Sequence, residues 1–199
     1  MGSSRRRMME SEIYHPISYI ENDGTSASIT RLNSTNGKTY NNSGFDIEFE
    51  TTTAFDTNTH VVFGARRANG DCDFGIYTNT AADAPGNGQI HTESSSAVAY
   101  LTTGKNVCSL RTDQYTVNGD TYTVTRGTNG WNYSIAIFGC REISSNKYAS
   151  HCKIYSFKLY RGSELKIDLH PCIRNSDGAY GFYDTVDNNF YTNSHWTGG

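Results

Sequence analysis

From about Ser26 onward, apolar and polar residues alternate with a period of two in short runs. "FDIEFETT" (45–52), "THVVFGARR" (59–67), "CDFGIYTN" (72–79), "NVCSLRTD" (106–113), "TYTVTRG" (121–127), "WNYSIAIFGC" (131–140) and "CKIYSFKLY" (152–160) all follow this pattern. Successive side chains of a strand point to opposite faces, so each run predicts a strand with one buried face. Clusters rich in Gly, Asn, Asp and Ser ("NSTNGK", "RRANGD", "DAPGNGQ", "RGTNG", "EISSNK") separate the runs and predict turns. In "TVNGDTYTV" the pair Asn118-Gly119 suits the positive φ angles of a type I′ hairpin. A second hairpin turns at Arg161-Gly162-Ser163. No segment keeps a helical period over a useful length. Many short strands at regular spacing predict an all-β fold, a two-sheet antiparallel sandwich. Its expected core is Phe45, Ile47, Phe49, Val62, Ile135, Ile137, Ile154, Phe157 and Tyr183.

The first 16 residues break the pattern. Arg5, Arg6 and Arg7 are followed by Met8 and Met9, then by Glu10 and Glu12, with Pro16 at the end. Such a segment has too little apolar surface to fold alone, because ordering costs about 1–2 kcal/mol per residue. We expect an extended N-terminal arm over 1–16 and a sandwich domain over 17–199. Three adjacent arginines suit carboxylates or phosphates, and the methionines suit an adaptable apolar groove. Arg5, Arg6, Arg7, Met8 and Met9 are therefore candidate partner-docking residues; the alternative is a disordered terminus.

Composition adds detail. With 199 residues the chain has the size of one domain, and 13 % aromatic content means that Tyr and Phe must build much of the core. The net charge of −3 argues against a globally basic nucleic-acid binder. None of Cys72, Cys108, Cys140, Cys152 and Cys172 forms a C-x-x-C pair, so buried thiols in a reducing cytosol are expected rather than a zinc site. No apolar run reaches membrane-spanning length, and "MGSSRRRMMESEIYHP" lacks the apolar stretch of a secretory signal.

The C-terminal third carries a more specific pattern. "SIAIFGC" is followed by "CKIYSFKLYRGSELKIDLHPCIRNSDGAYGFYDTVDNNFYTN". The pattern lies in Phe138-Gly139, Ile154-Tyr155, Pro171-Cys172, Gly178, Gly181, Tyr183-Asp184 and Phe190-Tyr191-Thr192-Asn193. It resembles the concanavalin A-like, laminin-G-type jelly-roll domains of tailed-phage virion proteins and gut-bacterial surface proteins. The resemblance implies a non-catalytic structural or binding module of a virion (a head fibre, a decoration protein or a tail-associated protein) assembled in the host cytoplasm. Its implied partners are other virion proteins, reached through the arm, and cell-surface glycans. Multiple copies or a homo-oligomer are implied; nucleic acid, membrane and cofactor are not. It also implies that the Gly-x-Tyr-Asp turn closes the sandwich beside the N-terminal strand. Gly178 and Gly181 would allow close backbone approach, Tyr183 and Phe190 would face the core, and Asp184 and Asn188 would bond turn amides.

Three groups could carry chemistry. Asp46, Glu48 and Glu50 stand at alternate positions of one strand, as catalytic carboxylates of a glycan hydrolase would. The simpler reading is an acidic solvent face, with Phe45, Ile47 and Phe49 turned inward. Calcium could be held by Asp71 and Asp73, or by Asp184, Asp187 and Asn188, although neither spacing is that of a dedicated loop. Trp131, Trp196 and Tyr191, with Tyr77 and Tyr100, could stack on the faces of sugars in a carbohydrate-binding module.

Overall fold

The computed structural model describes residues 13–25, 30–31, 43–51, 60–66, 72–78, 88–92, 95–126, 135–141 and 146–199. Its strands are β1 (Tyr14–Pro16), β2 (Ile20–Asn22), β3 (Thr30–Arg31), β4 (Ser43–Thr51), β5 (Val61–Arg66), β6 (Cys72–Tyr77), β7 (Gly88–Thr92), β8 (Ser95–Ala99) and β9 (Gly104–Arg111). They continue with β10 (Gln114–Val117), β11 (Asp120–Thr123), β12 (Ala136–Ile137), β13 (Cys140–Arg141), β14 (Asn146–Lys147), β15 (Cys152–Arg161), β16 (Glu164–Arg174), β17 (Tyr180–Asp184), β18 (Asn189–Thr192) and β19 (Trp196–Gly198). Among the described residues no helix is long and apolar enough to cross a membrane.

The strands form two packed sheets. The larger runs β11-β10-β9-β4-β15-β16-β17-β18, with β1 added to β16 and β2 joining β15 to β19. The smaller runs β14-β13-β5-β6-β7-β8, with β12 lying between β5 and β3. The described pairs are antiparallel except β13 with β5. The chain is thus a two-sheet antiparallel β sandwich, an arrangement compatible with a jelly roll.

Alternation explains the packing. On β4, Phe45, Ile47 and Phe49 are fully or almost fully buried, while Asp46, Glu48 and Glu50 are turned outward. Phe45 of β4 and Phe157 of β15 meet Phe63 of the opposite sheet edge-to-face, with centroids 4.9 and 4.8 Å from its ring. Phe74 completes the group at 6.0 Å from Phe63. These rings bridge the two sheets. Farther along, Trp196 packs edge-on between Phe138 and Phe182, at 5.3 and 5.6 Å.

The hairpins form as expected. Asn118 and Gly119 take φ of +52° and +99°, close to a type I′ turn, and Gly162 turns β15 into β16 at +58°. Gly181 permits the close approach expected of it, since a Cβ there would lie 2.3 Å from the Tyr191 carbonyl oxygen. Gly178 stands in open space, and what its turn uses is its φ of +70°.

One core expectation is corrected. Of the nine residues expected inside, Tyr183 is only half-buried and faces outward, as does Phe190. Tyr14 of β1 lies across both, with centroids 4.6 and 5.3 Å away, and the Arg174 guanidinium sits 4.7 Å over the Phe190 ring. The inward members of the two Phe-Tyr pairs are Phe182 and Tyr191, which lie opposite each other in the β17–β18 register.

Candidate functional site

The outer face of the larger sheet holds the three carboxylates. Each pairs with a cation from a neighbouring strand, and Asp46 and Glu50 also accept from a tyrosine of β15. Asp46 accepts from Arg111 Nη2 of β9 at 2.6 Å and from the Tyr160 hydroxyl of β15 at 2.9 Å. That guanidinium lies 4.0 Å over the Tyr160 ring. Glu48 pairs with Lys105 at 2.6 Å, and Lys105 lies 3.9 Å over Tyr155. Glu50 accepts from the Tyr155 hydroxyl at 2.6 Å and pairs with Lys153 at 3.5 Å. Between Ile154 and Ser156 the β15 register against β4 shifts by one residue, leaving Tyr155 as a bulge.

At Glu50 the arrangement works against a general-acid role. A glycosidase acid must keep its proton near neutral pH, which calls for a raised pKa. Glu50 moves the other way: the Tyr155 hydrogen bond chiefly, assisted by Lys153 and Lys105, holds it below the usual carboxylate range. Burial first, and the Glu50 contact second, push the Tyr155 phenol up to about 12, so it remains a donor. The face forms a network of exposed ion pairs with fixed partners.

Three of the expected sugar platforms are not on the surface. Trp196 is 3 % exposed and Tyr191 6 %, because each faces the interior of the sandwich, and Tyr77 is buried as well. Neither Trp196 nor Tyr191 offers a ring face to a pyranose, which corrects that expectation. Trp131 lies outside the described residues, as do Arg5, Arg6, Arg7, Met8 and Met9.

Tyr100 is placed differently. At the rim where β8 meets the β10–β11 hairpin, three tyrosines run from the core to solvent. Tyr115 is buried and its hydroxyl donates to the Val98 carbonyl of β8 at 2.6 Å, tying the two sheets together. Tyr122 stacks on it at 5.0 Å and 18°. Tyr100 follows at 5.8 Å and 38° and is 55 % exposed, with Val98 exposed two residues before it. Exposed Asp120 is close enough to Tyr122 for its charge to help burial raise the phenol pKa. The sequence reading named Tyr100 but missed Tyr115 and Tyr122. Counting outward from the Asn118-Gly119 turn does pair those two.

Of the two calcium candidates, Asp184, Asp187 and Asn188 fall among the described residues. Asp71 lies outside the described residues, and of Asp73 only the backbone is described. Asp184 points inward, fully buried, and its Oδ1 accepts from the backbone N–H of Asp168 and of Val186, each at 3.0 Å. This is the turn-bonding role expected of it. Asn188 adopts a positive φ of 58°, and its side-chain oxygen accepts from the Tyr183 hydroxyl. Among the described residues no group of three or more His, Cys, Asp and Glu could hold a metal ion.

Cys108, Cys140, Cys152 and Cys172 are buried and form no disulfide among the described residues. No protein-family model matches the chain, and no curated protein matches it.

Proposed function

We propose that the chain is a non-catalytic structural and binding module of a phage virion (a head fibre, decoration or tail-associated protein). Residues 1–16 dock it on other virion proteins, it is present in many copies, and its sandwich faces outward toward host-surface or mucosal glycans. The observation that carries the non-catalytic part is the state of Asp46, Glu48 and Glu50, each engaged by a cation within 3.5 Å. The virion part rests on the resemblance of residues 134–193 to concanavalin A-like, laminin-G-type virion domains. The sandwich architecture is compatible with that resemblance. At the end of the arm, β1 is fixed by pairing with β16, and the Ile13 carbonyl accepts from the Asn175 amide at 2.8 Å. A pull on the arm would therefore be transmitted to the larger sheet.

The test is assembly with the full chain and with a chain lacking residues 1–12. The truncated sandwich should fold, yet be missing from purified particles. Normal occupancy by the truncated chain would move the attachment surface onto the sandwich. If the full chain is itself absent from particles, the virion reading fails and a bacterial surface carbohydrate-binding module takes its place. Cleavage of a β-glucan that is lost in the Glu48→Gln/Glu50→Gln variant would establish a hydrolase instead.

A further inference from the structure

The tyrosine stack at the rim ends in a ring that the fold does not need. Tyr115 already closes the gap between β8 and the hairpin through its bond to Val98, and Tyr122 covers Tyr115. Tyr100 adds a third ring, more than half exposed, whose orientation is set by Tyr122 beneath it. We infer that Tyr100, backed by Tyr122, is a stacking platform for one neutral pyranose ring of a glycan, with Asp120 as an acceptor for its hydroxyls. This deepens the reading of the chain as a binding module and rests on it.

The chemistry follows from the parts. A pyranose presents an apolar C–H face about as wide as a phenol ring, rimmed by hydroxyls that need partners once water is displaced. A ring already held by its neighbour loses little freedom when it is covered. Asp120 lies two residues from Tyr122 on the same side of β11 and is exposed, so it can accept from hydroxyls and it repels anionic sugars. A proline-rich peptide needs a groove between aromatic ridges; here the second ring lies beneath the first, which leaves one ring width. One ring contact gives affinity on the order of millimolar, too weak for a single copy. Many copies on one particle would raise it by roughly 10²–10⁴.

Saturation-transfer NMR on the full chain tests this. The probes are the methyl glycosides of glucose, galactose, mannose and N-acetylglucosamine, with N-acetylneuraminic acid and a proline-rich hexapeptide for comparison. At least one neutral glycoside should receive saturation. The signal should vanish in Tyr100→Ala, persist in Tyr100→Phe, which keeps the ring face, and weaken in Asp120→Asn, with all melting temperatures unchanged. The inference is overturned if no neutral glycoside binds, if binding survives Tyr100→Ala, or if only the peptide or the acidic sugar binds. Because the measurement uses isolated protein, its failure is separable from failure to enter particles.

Discussion

Truncating Phe63 should be among the most damaging single changes to the sandwich. Its ring is fully buried and meets Phe45 and Phe157 of the opposite sheet at 4.9 and 4.8 Å, both near edge-to-face. Phe→Ala in a core costs about 3–5 kcal/mol, the larger values arising where surroundings cannot collapse into the space. Two hydrogen-bonded sheets collapse poorly, so we expect Phe63→Ala near the upper end, about 4–5 kcal/mol. Against a total stability of roughly 5–15 kcal/mol this is about a quarter or more. At ~2–4 °C per kcal/mol for a chain of this size, melting should fall by roughly 8–20 °C. Urea unfolding followed by tryptophan fluorescence is a suitable assay, since Trp196 sits inside the same core. A cycle of Phe63→Leu, Phe157→Leu and the double variant keeps most of the bulk and isolates the ring contact. Its coupling should be about 0.5–1.5 kcal/mol. The reasoning fails if Phe63→Ala lies within about 1 kcal/mol of wild type at an unchanged denaturant slope.

Four further outcomes can be checked. Asp184→Ala should cost about 1–3 kcal/mol by stripping two backbone N–H groups of their acceptor, whereas Asp184→Asn keeps an oxygen there and should cost less. Burial raises the Asp184 pKa, so its contribution to stability is greatest below the ordinary carboxylate range and declines as pH rises through the folded value; denaturation series from pH 3 to 7 should lack that decline in Asp184→Asn. Burial pushes the Cys108 and Cys152 thiols up to about 12 and Cys172 up to about 11, so iodoacetamide at pH 8 should label them only in denaturant, as read by peptide mass spectrometry. Asp46→Asn/Glu48→Gln/Glu50→Gln should lower the stability of purified protein by less than about 3 kcal/mol, because exposed pairs contribute ~0–1 kcal/mol each; a larger loss would mean that the network holds the sheet together.

How much of this was legible in the sequence varied with the local signal. The "FDIEFE" run assigned β4 and both of its faces because alternation there is strict. The Asn-Gly turn set its hairpin, and with it the pairing of Tyr115 and Tyr122. The Phe182-Tyr183 and Phe190-Tyr191 pairs were harder, because either member of an aromatic pair can fill a core. What decides their facing is the cover supplied by Tyr14, a long way off in sequence. The Tyr155 bulge does leave a trace: buried Ile154 and Phe157 are three residues apart, which breaks the period of two. No local pattern brings Tyr100 to the hairpin, because that contact crosses between sheets.

The acid row on β4 also bears on how the chain is made. Lys153 follows Glu50 by 103 residues, and Lys105 and Arg111 also come well after β4. At synthesis rates of ~5–20 residues per second, β4 waits roughly 5–20 s for the strand that will cover one of its edges. During that interval its Phe-Ile-Phe face and unpaired backbone invite pairing with the same strand of another nascent chain. Asp46, Glu48 and Glu50 have no cations beside them yet, and three negative charges in a row repel their own kind. The carboxylates that end as quiet ion pairs thus begin as guards, and the amide variant should lose soluble yield during expression far more than it loses melting temperature.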